Sequence, residues 1–255
     1  MLSLSKQRVI LVTGAVGGLG MAITKKFLQQ DDIVCLLDLS KEKLDLEVSK
    51  LGENAKGYVC DVTSESSVEQ TIKSIIDEHH RIDVLVNNAG LQYRAKIEEF
   101  PLDKWQLLID VMLTGVFLMT KHVFPHMKYQ KSGRIINISS VHGKMATPEK
   151  VAYVAAKHGV IGVTSVSALE GAPYGITVNS VLPGAVKTPL LIKQLEDLHE
   201  SEGLTELEAL SRIVYPRQAM NRFIEDTEVA DTVFFLASDE ASAITMEHIK
   251  VAGGM

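Results

Sequence analysis

Tyr153-Val-Ala-Ala-Lys157 sets a phenol and an ammonium one helical turn apart, where side chains share a face. A free tyrosine, with a pKa of about 10, is a poor base at neutral pH. A neighbouring cation favours the phenolate, and lowering the pKa by about 2–3 units takes about 3–4 kcal/mol of differential stabilisation. Such a pair can take the proton of a secondary alcohol while a hydride leaves the same carbon. Ser140, upstream of the pair, can donate a hydrogen bond to the oxygen as charge develops on it. By chance, however, Tyr-x-x-x-Lys occurs on the surface of many helices.

A second cluster supplies the partner for that chemistry. Thr13-Gly14-Ala15-Val16-Gly17-Gly18-Leu19-Gly20 follows an apolar run and opens an amphipathic stretch. Glycines permit a tight turn and close backbone approach, and a helix N-terminus offers free N–H groups and partial positive charge to a pyrophosphate. Gly14, Gly17, Gly18 and Leu19 are the candidates for that contact. Asp38 closes the next apolar run. An acidic side chain there accepts hydrogen bonds from both hydroxyls of an adenosine ribose and repels a 2′-phosphate. Leu39 follows it instead of an Arg, and Ala15 and Val16 carry no charge. The expected cofactor is therefore NAD, with Lys41 and Lys43 read as a solvated first helical turn. Lys157 would also hold the nicotinamide ribose.

These groups need a frame. Strands are expected at Arg8–Thr13, Ile33–Asp38, Gly57–Cys60, Ile82–Asn87, Arg134–Ser139, Ile176–Leu182 and His248–Val251. Helices are expected at Leu19–Gln30, Lys41–Leu51, Ser64–His80, Asp103–Lys128, Val151–Ala172 and Asp226–Ala237. The alternation reads as βαβ units and a parallel sheet wound on both faces, and strands without polar alternation fit burial on both sides. The fold expected is one doubly wound, Rossmann-type α/β domain over residues 1–255, with about seven strands. Residues 184–225 break the rhythm, with helical pieces around Leu190–Glu200 and Glu206–Val214. Placed after a strand's C-terminal end, this insertion reads as a substrate lid.

Composition narrows the classes. The 255 residues are 46% hydrophobic and 23% charged, which excludes a disordered chain. Lys and Arg total 26 against 32 Asp and Glu, a net charge of −6, which speaks against nucleic-acid or anionic-membrane partners. No continuous apolar run approaches the roughly 18 residues of a spanning helix, and the N-terminal apolar stretch is too short for a signal peptide. Cys35 and Cys60 lie in apolar runs and read as reduced thiols of a cytoplasmic protein. His122 and His126, with Pro125 between them, and His79-His80 lack a further ligand, so no metal is expected. The sequon Asn137-Ile-Ser139 falls in a central strand.

The spacing Thr-Gly-x-x-x-Gly-x-Gly resembles the short-chain dehydrogenase/reductase family, and further motifs fit in register. Asp61-Val62 stands where the resemblance implies an adenine contact. Asn88-Ala89-Gly90 ends the fourth strand beside the cofactor. Ser140, Tyr153 and Lys157 match the catalytic positions. Pro183, Gly184, Val186 and Thr188 match the segment that holds the nicotinamide carboxamide.

Within the family, Leu91-Gln92, Ser140-Val141-His142-Gly143, Lys150-Val-Ala-Tyr153 and the stretch from Pro183 through Gln194 are similar to the D-3-hydroxybutyrate dehydrogenases. The resemblance implies that Gln92, His142, Lys150 and Gln194, with Ser140 and Tyr153, hold a short hydroxy or keto acid. A cation among polar donors suits a carboxylate. Three departures from the pattern stand out. Met112 stands where the family has an Asn that positions a proton-relay water; a thioether is a poor substitute. Ala185 lies in the segment where these enzymes carry a Trp. The closing Val-Asp-Gly-Gly is Val251-Ala252-Gly253-Gly254, and a Gly before Glu247 is Met246. The leading reading is NAD-dependent oxidation of a small 3-hydroxy acid by a homo-oligomer, a tetramer by resemblance. A reductase of bulkier alcohols or 3-oxoacyl thioesters, and a nucleotide-binding protein with weak or lost catalysis, are the rivals.

Overall fold

A computed structural model describes residues 7–188, 191–192, 203, 205, 208, 218–220 and 222–255. Seven parallel strands form one sheet in the order β3-β2-β1-β4-β5-β6-β7. They are β1 (Val9–Thr13), β2 (Ile33–Asp38), β3 (Ala55–Val59), β4 (Val84–Asn87), β5 (Gly133–Ile138), β6 (Ile176–Pro183) and β7 (His248–Val251). Successive residues of a strand point to opposite faces, and both faces are covered. Ile10, Val12, Val34, Leu36 and Val84 pack with Ile23, Phe27 and Val233. Leu11, Cys35, Leu37 and Leu85 pack on the other side with Val68, Ile72, Met119 and Val123. Parallel pairing runs from Leu11 to Cys35 and to Leu85. The chain leaves β1 in opposite directions toward β2 and β4, so a crevice opens at their C-terminal ends, where open α/β sheets bind ligands.

The helices are α1 (Gly18–Leu28), α2 (Lys41–Leu51), α3 (Glu65–His79), α4 (Leu102–Ile109), α5 (Gly115–Gln130), α6 (Val151–Gly171) and α7 (Asp226–Leu236). Ser40 and Ser64 start α2 and α3 by accepting the Lys43 and Ser67 N–H groups, which offsets donors left open at a helix start.

Most expected boundaries move by one or two residues, and two elements differ in kind or position. β3 begins at Ala55 and ends at Val59, before the expected Cys60; as an edge strand it alternates buried and exposed residues, and Lys56 hides its start. The helix expected at Asp103–Lys128 is not uniformly α: Asp110–Thr114 forms a π turn between α4 and α5. The Gly115 N–H bonds Asp110 O across that turn. A Cβ at Gly115 would come within 2.9 Å of Val62 Cγ2, so this close approach needs glycine. The continuous 29-residue helix Leu102–Gln130 is long and apolar enough to cross a membrane by length and composition alone. Its buried Leu118, Met119, Val123 and Met127 pack into the core beside β4 and β5.

Most of the two expected lid segments, and Gln194, lie outside the described residues. Within the expected insertion, Val186 forms a parallel bridge with Ile224. Cys35 and Cys60 are buried free thiols, and burial raises both pKa values. Among the described residues, no three His, Cys, Asp or Glu side chains gather as a metal site. Asn137 of the sequon is fully buried.

Candidate active site

The groups of interest collect at the C-terminal edge of the sheet. β1 runs into the glycine loop, whose Gly14 and Gly18 have φ of +63° and +47°, values that favour glycine. An added Cβ at Gly20 would meet Gly14 O and Asn88 Nδ2. At Gly17 an added Cβ would touch nothing within 4 Å, so the loop turns an open surface outward there. Gly17 is also the N-cap of α1 and provides no side-chain cap. The loop therefore offers open space and helix N–H groups, a cradle that fits a phosphate. Leu19, in the first turn of α1, is half-buried.

Thr13 and Asn88 brace this loop. Thr13 Oγ1 accepts from the N–H groups of Asn88 at 2.9 Å and Ala89 at 3.0 Å. Asn88 Nδ2 donates to Thr13 O at 2.9 Å and Gly14 O at 3.2 Å. The Asn88 side chain, expected beside the cofactor, is thus committed to holding β4 against the loop. Thr13 stood inside the glycine motif, but its role depends on a strand remote in sequence.

Asp38 ends β2, and its Oδ1 accepts the Leu39 N–H at 2.9 Å; Leu39 itself is exposed. Asp61 Oδ1 accepts from Thr63 N and Thr63 Oγ1 at 2.9 and 2.7 Å, which stiffens the turn carrying Val62. Gly90 is open to solvent on the strand-end loop, with Met112 Sδ 3.8 Å from where its Cβ would stand. Pro183 ends β6, and Gly184 N–H bonds Val251 O at 3.0 Å. Thr188 Oγ1 accepts the Leu191 N–H at 3.4 Å.

Ser140 follows β5, and its Oγ accepts the His142 N–H at 3.2 Å while lying 3.3 Å from His142 Nδ1. His142 Nε2 is 2.9 Å from Thr147 Oγ1, and its ring meets the Tyr153 ring edge-on at 5.8 Å. Lys157 is 4% exposed. Its Nζ donates to Ile138 O at 2.7 Å and lies 5.7 Å from the Tyr153 ring centre. Burial lowers the Lys157 pKa to about 8. Burial also raises that of Tyr153, against a lowering pull from the Ser140 hydroxyl. In the protein alone, burial thus opposes the lowering that Lys157 and a bound nicotinium charge together would bring. The phenol, the serine hydroxyl and the ammonium gather at the strand ends, groups whose chemistry suits proton transfer.

The profile of the short chain dehydrogenase family matches residues 8–199. The chain belongs to the short-chain dehydrogenase/reductase family. It is 45% identical over 252 residues to an uncharacterized oxidoreductase of Bacillus subtilis (strain 168), covering 98% of each chain. A D-beta-hydroxybutyrate dehydrogenase of Rhizobium meliloti (strain 1021) is 36% identical, over 97% of this chain and 98% of its own. A 3-oxoacyl-[acyl-carrier-protein] reductase of Thermotoga maritima is 39% identical over 97% of both. Among solved structures, an actinorhodin polyketide ketoreductase with NADPH matches with TM-score 0.91 and 35% identity over 97% of both chains. An NAD+-bound xylitol dehydrogenase matches with TM-score 0.90 and 32% identity, over 97% of this chain and 98% of that one. The protein is an oxidoreductase of this family, which uses nicotinamide cofactors.

Two further segments bear on a substrate. Gln92 Nε2 is buried without a hydrogen-bond partner among the described residues. Lys150, at the N-cap of α6, is half-buried and has no ion pair among the described residues. Burial first, and the Arg94 charge second, lower its pKa to about 8. The two segments are tied by Arg94 Nη2 to Glu149 Oε2 at 2.6 Å and Ala95 N–H to Glu149 O at 3.1 Å. Sequence reasoning missed Arg94 and Glu149, because residues so far apart in the chain carry no local signal.

Met112 is fully buried against Leu108, Ala152 and Ala156. Its packing and the π turn around it belong to the same deviation from a regular helix. Another departure, Met246, has φ of +65°, so the chain makes a left-handed turn with a residue that strains there.

Proposed function

We propose that the protein is an NAD-dependent dehydrogenase of a small 3-hydroxy acid, with (R)-3-hydroxybutyrate and acetoacetate as its pair. The observation that carries this reading is Lys150, a half-buried cation without an acidic partner among the described residues, on a segment tied to the one bearing the unbonded Gln92 amide. A carboxylate would satisfy both, as a charge-assisted bond inside a partly dry site. His142 and Gln194 complete the set by resemblance. The 36% identical Rhizobium relative, named as a hydroxybutyrate dehydrogenase, supports the choice.

Gly14, Gly17, Gly18 and Leu19 would hold the pyrophosphate of NAD, and Asp38 with Leu39 the adenosine ribose. Asp61 and Val62 would flank the adenine. Ala89, Gly90, Pro183, Gly184, Val186 and Thr188 would line the nicotinamide half, with Asn88 bracing the loop. When bound, the nicotinamide supplies the hydride acceptor and a positive charge. Ser140 donates a hydrogen bond to the substrate oxygen and orients it. Tyr153 Oη exchanges the proton of that oxygen, and Lys157 favours the phenolate that this requires. The assembly is proposed as a cytoplasmic homotetramer.

The 39% identical Thermotoga reductase favours a second reading, reduction of a 3-oxoacyl thioester. Initial rates separate the two. (R)-3-Hydroxybutyrate with NAD should exceed an acetoacetyl thioester with NADPH by at least about tenfold in kcat/KM. Lys150→Ala should raise KM for hydroxybutyrate by about 10–100-fold, the worth of a charge-assisted bond, and leave a neutral alcohol of similar size unaffected. A faster thioester reaction with NADPH selects the second reading.

A further inference from the structure

We infer that Arg94 keeps Lys150 available to an anionic substrate by holding Glu149 away from it. The inference rests on the carboxylate reading above and names a specificity-determining residue outside the set that contacts the substrate.

Glu149 is the residue next to Lys150 in the chain, and an acid there is the nearest candidate to neutralise it. Instead its carboxylate accepts from Arg94 Nη2 at 2.6 Å. Glu149 O accepts the Ala95 N–H at 3.1 Å, so Arg94 and Ala95 grip one residue at two points. Glu149 sits at φ of +66°, a left-handed conformation that strains a residue with a Cβ. The grip holds the residue in that turn, with its carboxylate on the side of the 88–96 loop. Arg94 is close enough for its charge to lower the Lys150 pKa, second to burial. Among the described residues one cation is paired and one is left over, on a segment tied to the one that bears the unbonded Gln92 amide. A site that must bind a carboxylate needs that surplus, because an internal Glu149–Lys150 pair would compete with the ligand for the same ammonium.

Removing Arg94 should release Glu149 onto Lys150. Arg94→Ala is expected to raise KM for (R)-3-hydroxybutyrate about tenfold, the lower end for a lost charge-assisted bond, with kcat and KM for NAD changed less than about twofold. Arg94→Ala/Glu149→Gln removes the competitor and should recover KM to within about threefold of wild type. Glu149→Gln alone should leave KM nearly unchanged. A clamp that merely stiffens the loop gives the opposite pattern, since either single change breaks it and the double change cannot repair it. Equal losses in Arg94→Ala and in the double variant overturn the inference, as does an unaffected Arg94→Ala. A second readout needs no substrate: NMR titration of 13C-methylated lysines should place the Lys150 pKa higher in Arg94→Ala than in wild type or the double variant. Should the wild-type enzyme bind no short hydroxy acid, the carboxylate reading fails, and this titration alone decides whether Arg94 diverts Glu149. Loss of the Arg94 charge by itself raises the Lys150 pKa in both variants, so a pKa no higher in Arg94→Ala than in the double variant overturns that too.

Discussion

Replacing Lys157 by Met should abolish turnover and stabilise the fold. Lys157 is 4% exposed, and burial lowers its pKa from 10.5 to about 8. At about 1.36 kcal/mol per pKa unit, keeping the ammonium in the folded protein at pH 7 costs about 3 kcal/mol. Against this stands its bond to Ile138 O at 2.7 Å, whose loss leaves a buried carbonyl unpaired and costs about 1 kcal/mol. Lys157→Met is similar in length and apolar, so the net expectation is a gain of about 2 kcal/mol at pH 7. The sign follows from linkage. The folded state holds this proton more weakly than the unfolded chain. The cost is therefore complete below pH 8, shrinks between 8 and 10.5, and vanishes above both values. At pH 10 the gain should have disappeared. Urea denaturation of both proteins without cofactor, at equal concentration and followed by the fluorescence of Trp105, measures this at pH 7 and pH 10. A variant less stable at pH 7, or an equal advantage at both pH values, would refute the argument that an active-site ammonium is held at the expense of stability. Turnover should fall at least about 10²-fold in the same variant.

Four other outcomes are expected. Asp38→Ala should narrow a preference for NAD over NADP of at least about 10–100-fold in kcat/KM; a wild type that prefers NADP contradicts the role given to Asp38. Tyr153→Phe should keep cofactor affinity, measured by calorimetry, while kcat falls about 10²–10⁴-fold. Met246→Gly, at φ of +65°, should raise stability by about 1 kcal/mol, because glycine is not strained there, less the entropy it adds to the unfolded chain; a lower melting temperature would count against strain. Met112→Asn loses a fully buried apolar side chain and buries an amide, so denaturation should show a loss of about 3–5 kcal/mol; unchanged stability with higher kcat would favour the proton-relay reading of this position over packing.

Strand and helix alternation, the glycine loop and the Tyr153–Lys157 pair were legible because each rests on local periodicity or short spacing. Cys35 and Leu37 on one side, and Val34 and Leu36 on the other, show why β2 reads as continuously apolar: both its faces are covered. The start of β3 was less legible, since an edge strand with Lys56 and an exposed flank loses that signal. The π turn at Asp110–Thr114 was hidden for another reason. An extra residue in a helix turn depends on what packs against it, here Val62 at Gly115 and Ala152 and Ala156 at Met112.

The amino-acid sequence by itself determined the class of fold, the family motifs and the residue types available for proton transfer and phosphate contact, because these are written at separations of a few residues. Only the tertiary structure decided how those residues are spent. It commits Asn88 to the glycine loop, bonds Lys157 to Ile138, couples Ser140 to His142 and turns Glu149 toward Arg94. All but the local Ser140–His142 contact depend on strand ends and loops that are distant in the chain meeting at one edge of the sheet. There burial and nearby charge set whether a side chain is a structural bond or a free chemical group.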